Sequence, residues 1–493
     1  MERVEGYLAH QVANRPDALA LTDVTGVRWT YRDLDAAAAE LAARMVHVKP
    51  GDRVMILSEN CGAAVAALFA AWRVGAAAIP INVRQSEAEI DRVIAHANPA
   101  MIWFTTEVSP DAREHAGRLG ALPVSGAFGT LAELCRTSAP DLDSDIAVLL
   151  YTTGTTGDPK GVMLTHANVR FGGKTSAELR SITAHDFVYG VLPTTHVFGL
   201  CSVVVASIYA GAPVRLVPRF DVNVVFEALR DGITLFSGVP QMHAVLMAHA
   251  KAQGLEHLES TTLRYVSSGA APLDPTWKRE AEAFYGVAVQ NGYGMTETTA
   301  GICATLHETG NPDTSVGPPL PEVEIRIDVD VEGGGDGIGE VESRGPHVMR
   351  GYYKNADATT AALDDQGWMR TGDLGRIDDQ GFLHILGRSK ELIIHGGFNV
   401  YPPEVEAALN DHPEVIQAAV VGRILDGDEQ VLAFCQVAPD CSLNGDDLKT
   451  FIRPKLAGYK RPAHIILASQ LPAAPTGKIL KHKLIRTFED KLH

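Results

Sequence analysis

Apolar residues recur along this chain in two rhythms, and the switches between them outline its elements. Residues 53–57, 76–81 and 101–105 are short, nearly continuous apolar runs, the form taken by strands covered on both faces. Between them, residues 31–46, 60–72 and 86–97 place alanine, leucine, valine and isoleucine at helical spacing. The first of these helices, starting at Thr30 or Tyr31, is opened by Asp33 and closes before Pro50-Gly51. Strand, helix, strand in this order predicts a parallel sheet flanked by helices. Residues 107–144 carry a weaker signal and read as peripheral. The rhythm resumes with strands at 146–150, 189–192 and 263–268, a helix at 165–183, and a strand from Thr234 that runs into a Pro240-initiated helix. From residue 322 the pattern changes: 322–330 and 339–343 alternate around Gly333-Gly334-Gly335, which predicts an antiparallel β unit. Beyond residue 388 come a helix at 403–409, strands at 418–421 and 430–437, and a helix at 446–456 interrupted near Pro454. The expected fold class is α/β. A large N-terminal domain, 1–388, has parallel sheets flanked by helices plus an antiparallel β subdomain; a small α+β C-terminal domain, 389–493, follows on a hinge.

Composition narrows the function. A chain of 493 residues exceeds one ordinary core, which agrees with two domains. A formal charge of −17 argues against nucleic acid or an anionic membrane as the main partner. The longest apolar stretches, 61–72 and 199–214, are short and rich in small residues, so they read as buried elements rather than membrane spans. The first nine residues include acids and no apolar core, so no secretory signal is read. Six cysteines without C-x-x-C spacing fit reduced thiols in a cytoplasm and indicate no metal site.

Two stretches concentrate the candidate chemistry. In the first, the apolar run 146–150 leads into Tyr151-Thr152-Thr153-Gly154-Thr155-Thr156-Gly157-Asp158-Pro159-Lys160-Gly161. Glycines let backbone N–H groups turn toward a guest, the hydroxyls of Thr152, Thr153, Thr155 and Thr156 are donors for phosphate oxygens, and Lys160 adds a positive charge. The spacing is not that of a Walker A loop. In the second, Asn291-Gly292-Tyr293-Gly294-Met295-Thr296-Glu297, Tyr293 offers an aromatic face for adenine between glycines that leave room for a ligand. Thr296 is a donor for an α-phosphate, and Glu297 is an oxygen ligand suited to Mg²⁺. Gly269-Ala270-Ala271, at the end of a predicted strand, lets a flat ring approach the backbone. Asp373, in Thr371-Gly372-Asp373, can accept from two ribose hydroxyls.

Taken in order, these stretches resemble the motifs of the adenylate-forming (AMP-binding) superfamily, which includes acyl- and aryl-CoA ligases, luciferases and peptide-synthetase adenylation domains. Thr153 stands where many relatives have serine, and the donor survives. The resemblance implies a ribose contact at Arg388 and a hinge at Lys390. Lys478, in Pro475-Thr476-Gly477-Lys478, matches the catalytic lysine, and the Gly396-Gly397 face serves the second half-reaction. The acyl-binding segment would begin at His196, Val197 and Phe198, with Phe236, Val239, Met242, Gly294 and Met295 also lining the pocket. No acid lies in 196–205 to hold an α-amine, so an amino-acid substrate is disfavoured. Related acetate-specific enzymes carry tryptophan where Gly294 stands, so the expected substrate is an aromatic or medium-to-long aliphatic acid. Dicarboxylates are expected to fare badly, because no arginine can be placed beside the pocket from the sequence. The implied activity is an ATP- and Mg²⁺-dependent carboxylic acid:CoA ligase, free-standing because no carrier domain follows before His493. The alternatives are an acyl-AMP ligase serving a carrier protein, a luciferase-like oxygenase and a nucleotide-binding sensor.

Overall fold

The first predicted helix runs Tyr31–Arg44, and the reason it starts there is local. The Thr30 side chain accepts from the Asp33 N–H, and the Asp33 carboxylate accepts the Thr30 N–H at 2.9 Å, a reciprocal cap on two otherwise unpaired donors. The computed structural model describes residues 2–153, 159–260, 262–269, 273–299, 301–396, 398–425, 428–473 and 479–492, without the Thr153 side chain.

Two eight-stranded sheets form the body of the N-terminal part. In the first, strands Met101–Phe104, Arg53–Ser58, Ala77–Asn82 and Ile146–Thr153 are parallel neighbours. The peripheral stretch supplies helix Pro110–Leu119 and the hairpin Leu122–Gly126/Gly129–Cys135, which closes one edge. In the second, Val289–Tyr293, Tyr265–Gly269, Leu235–Gly238, Val188–Gly190, Val214–Leu216 and Leu19–Thr22 are parallel neighbours. Helix Gly62–Arg73 is buried from Gly62 to Trp72, and its core cluster holds residues of both sheets. An alanine-rich helix apolar on every side has to lie between layers. Polar bonds strap the sheets together at the same place. Asn60 Nδ2 donates to the carbonyls of Gly190 and Leu192, and its Oδ1 accepts the Thr194 N–H at 2.8 Å.

The antiparallel unit is a four-stranded sheet of Glu324–Asp328, Gly339–Arg344, Met369–Ile377 and Leu383–Arg388. In the separate C-terminal domain, Val415–Leu425 and Asp428–Val437 pair antiparallel and His464–Ala468 adds in parallel. Helices Pro402–Asn410 and Gly445–Ile452 belong to one core cluster, and helix Lys481–Thr487 to another. The strand at 464–468 and the helix at 481–487 have no counterpart in the sequence reading. The helix is too charged to show a periodicity, since only Leu484 is buried.

That helix is tied down by charge. Lys481 Nζ lies 2.9 Å from Glu391 Oε2 and 2.9 Å from Glu406 Oε1. Burial by itself would lower the lysine pKa, but Glu406 and Glu391 outweigh it and hold it above its ordinary value. Burial raises the Glu406 pKa in turn.

Candidate active site

The threonine-rich loop springs from an antiparallel pair. Thr152 faces Lys160 across strands Ile146–Thr153 and Pro159–Thr165, and Thr153 faces Pro159. Gly154, Thr155, Thr156 and Gly157 lie outside the described residues. Lys160 Nζ stands 5.2 Å from the ring centre of Tyr352, whose strand pairs with Val162. The Tyr352 hydroxyl donates to Glu297 Oε1 at 2.9 Å, and the Met349 N–H donates to the Glu297 carbonyl at 2.8 Å. Three residues far apart in sequence thus meet: Lys160, Glu297 and Tyr352. Thr296 and Glu297, each only 8% exposed, sit on the short 3₁₀ turn Thr296–Thr298. Burial, then Glu297, pushes the Tyr352 phenol pKa well up, so it stays a donor. Sequence reasoning missed Tyr352. Its one signal was Arg350-Gly351-Tyr352-Tyr353, with Gly351 at φ 138° against Thr359.

A second cluster joins the other predicted nucleotide residues. The Tyr293 hydroxyl donates to Asp373 Oδ2 at 2.6 Å, and Arg388 Nε lies 3.3 Å from Asp373 Oδ1. Asp373 and Arg388 are cross-strand partners. The Thr371-Gly372-Asp373 stretch lies inside strand Met369–Ile377, beside a bulge, with Gly372 at φ 73°. Bulges re-aim side chains, and here the Asp373 carboxylate meets Tyr293. Burial raises the Tyr293 pKa well above its ordinary value, with Asp373 adding to it. Asn291 is locked by donating to the carbonyls of Thr314 and Ser315, and Gly292 lies opposite Gly269 in the adjoining strand.

The acyl segment divides. His196 is exposed, and its Nδ1 accepts the Phe198 N–H at 3.3 Å. Phe198–Val205 is a π-helix, a rare form that is frequent at functional sites. Phe198, Val239, Met242 and Met295 are half-buried and pack on one core cluster. The Phe198 ring lies 3.1 Å from where a Cβ on Gly269 would stand, so the ring covers the end of strand Tyr265–Gly269. Gly294 is half-buried beside it in sequence. Two expected pocket residues are instead core: Val197 is 1% exposed and Phe236 is 0% exposed. Phe236 pairs in register with Val266, whereas Leu235 and Ser237 pair with Tyr265 and Ser267 on the Gly269 face. Side chains alternate along a strand, so Phe236 points to the opposite face, among Tyr189, His243 and Tyr285.

At the domain junction, Lys390 is exposed on the 3₁₀ turn Ser389–Glu391. Gly396 adopts φ 58° and donates its N–H to the Asp428 carboxylate at 2.9 Å. Thr153 (side chain), Ala270, Ala271, Gly397 and Lys478 lie outside the described residues. On either side of the lysine segment, Ala473 and Ile479 form an antiparallel bridge, and the Leu480 N–H donates to the Pro472 carbonyl at 2.8 Å.

Among the described residues no group of three or more His, Cys, Asp or Glu gathers as a cation cage. A lone carboxylate such as Glu297 fits Mg²⁺ all the same, because that ion keeps several waters and takes the rest of its oxygens from phosphates. No helix among the described residues is long and apolar enough to cross a membrane.

Comparison with known proteins agrees with this geometry. The AMP-binding enzyme family matches residues 8–353, and the AMP-binding enzyme C-terminal domain matches residues 404–478. A feruloyl-CoA synthase from Amycolatopsis sp is 32% identical over 94% of this chain and 94% of its own. ATP-bound MatB from Rhodopseudomonas palustris superposes with a TM-score of 0.85 at 30% identity, covering 100% of both chains. The O-succinylbenzoate coenzyme A synthetase of Bacillus subtilis, in complex with ATP and magnesium ion, gives 0.81 at 29% identity over 97% of this chain and 98% of that one. With its motifs in order and both family regions matched, the chain belongs to the AMP-binding enzyme family.

Proposed function

We propose that this acid–thiol ligase activates an aromatic or medium-to-long aliphatic carboxylic acid as its acyl adenylate and then forms the acyl-CoA thioester. The observation that carries the choice of acid is that Phe198, Val239, Met242 and Met295 are all half-buried apolar side chains packed on one core cluster, with the Phe198 ring against Gly269. Apolar side chains of this kind accept hydrocarbon, each buried CH₂ contributing about 0.8 kcal/mol.

The residues divide the work. The substrate carboxylate attacks the α-phosphorus of ATP and pyrophosphate leaves, so negative charge gathers on phosphate oxygens. Thr296, Lys160, the threonine loop and Lys478 are the donors assigned to that charge. Glu297 would hold Mg²⁺, which supplies charge neutralisation on the phosphates when bound. Tyr293, Asp373 and Arg388 would orient the nucleoside, with Asp373 accepting from the ribose. The CoA thiol then attacks the adenylate carbonyl and AMP departs. Lys478 has no part in that second step, so the domain beyond residue 388 turns about Lys390 and presents Gly396 and Gly397. A cytoplasmic location belongs to the same proposal, supported by six unpaired thiols.

A panel of carboxylates assayed for ATP- and CoA-dependent AMP formation tests the reading. Hexanoate, octanoate or benzoate should outrun acetate, and Gly294→Trp should move the preference toward acetate or propionate. An enzyme that already prefers acetate sinks the assignment of the pocket.

A further inference from the structure

The C-terminal end of helix His166–Leu179 delivers a charge into this apolar region. Arg180, the residue that caps the helix, is only 8% exposed. Its guanidinium carbon lies 5.9 Å from the ring centre of Phe198 and 5.6 Å from that of Tyr265. One nitrogen, Nη1, donates to the Ser202 carbonyl at 2.7 Å, within the π-helix. Among the described residues, its buried Nε has no hydrogen-bond partner and Arg180 makes no ion pair. Its neighbour Arg264, by contrast, has Asp186 at 2.7 Å.

A guanidinium taken out of water without a carboxylate is costly, and two ring faces with one carbonyl return only part of that cost. Among the described residues the other buried arginine is Arg53, at 1% exposure, and it is answered by Asp141 and three backbone carbonyls. The surroundings of Arg180 are polar in a way that its apolar frame does not require. Ser176 donates to Ser202 at 3.0 Å, and Ser237 and Ser267 pair at 2.9 Å on the strand face that carries Tyr265 and Gly269.

Phe198 joins the two ends of this arrangement. Its ring lies against the Gly269 position and also stands 5.9 Å from the Arg180 guanidinium carbon. An acid whose reacting carboxylate sits at the ends of the strands, beside Gly269, and whose tail runs past Phe198 therefore arrives at Arg180. We infer that Arg180 is a specificity-determining residue that receives an anionic group, a carboxylate above all, at the far end of the substrate acid. This rests on the acyl-segment reading above and deepens it: the acid is long or aromatic and carries a second carboxylate. It reverses the expectation that dicarboxylates fare badly, which assumed that no arginine stood near the pocket.

The test compares matched acids: hexanoate with adipate, octanoate with suberate, and benzoate with terephthalate, by AMP formation with ATP and CoA. For at least one pair the wild-type enzyme should favour the diacid in kcat/KM. Arg180→Gln should lower that diacid-to-monoacid ratio about 100-fold, mostly through KM because the contact is remote from the reacting atoms. Arg180→Lys, which keeps the charge, should restore part of the ratio. A ratio unmoved by Arg180→Gln makes the residue a structural strut and overturns the inference. Should the glutamine variant fail to fold, a wild-type preference for the monoacid in every pair overturns it as well. Failure of all six acids to release AMP would instead count against the acid class proposed above, so the two readings fail separately.

Discussion

Replacing Tyr352 by phenylalanine isolates one hydrogen bond at the centre of the site. The ring remains, so the stack under Lys160 at 5.2 Å and the burial of Tyr352 in the core are kept. What is lost is the hydroxyl that donates to Glu297 Oε1 at 2.9 Å, between residues only 9% and 8% exposed. A hydrogen bond to a buried charged acceptor contributes about 1.5–3 kcal/mol. If Tyr352 holds Glu297 in the geometry that adenylation uses, that loss converts to a rate reduction of about 10- to 150-fold. Pyrophosphate exchange measures the first half-reaction, and thioester formation from supplied acyl-AMP measures the second. Exchange should fall by this factor, while thiolation stays within about threefold. Thermal melting of the same variant separates the alternatives. A lowered melting temperature with exchange within about threefold of wild type, roughly 0.6 kcal/mol, would make Tyr352 a strut of the fold and refute its role in positioning Glu297.

Lys478→Ala should cut adenylation about 10²- to 10³-fold and spare thiolation of supplied acyl-AMP; pyrophosphate exchange that survives the change removes the assignment. Lys390→Pro should do the reverse, because proline fixes φ near −65° at the residue assigned to the hinge. Equal loss in both half-reactions would mean that Lys390 acts chemically or that the domains do not rotate. The third expectation concerns acid. Burial holds His166, His243 and His347 neutral, with pKa values pushed down to about 3, 4 and 4, against about 6.5 when unfolded. The unfolded chain therefore binds more protons between those values, so the stabilisation is complete above about pH 6.5 and is lost as pH falls toward 4. Each histidine contributes a slope of about 1.4 kcal/mol per pH unit in that window. Urea midpoints should drop between pH 7 and pH 5, and a His243→Asn variant should show a shallower slope; an unchanged slope would contradict the burial argument.

The half of this protein that follows from neighbours in sequence was legible without coordinates. The helix opened by Asp33 shows itself because alanine and leucine at helical spacing need only one element to be seen. Strands at 53–58, 77–82 and 101–104 came within a residue or two of their predicted limits, since a buried parallel strand must be a short apolar run. The family motif was legible for a similar reason: Tyr293, Thr296 and Glu297 lie in one local stretch. Tertiary structure alone decided the rest. The face on which Phe236 lies depends on strand register, and a shift of one residue would have sent it toward Phe198. Tyr352 joins Glu297 only because strand Gly351–Tyr352 pairs with Pro159–Thr165. The solitary burial of Arg180, and the two carboxylates that close on Lys481, depend on which distant elements pack above them. Spacing along a chain reports the periodicity of one element, whereas the partner of a charge is set by where other elements bring their side chains, and no local pattern encodes that.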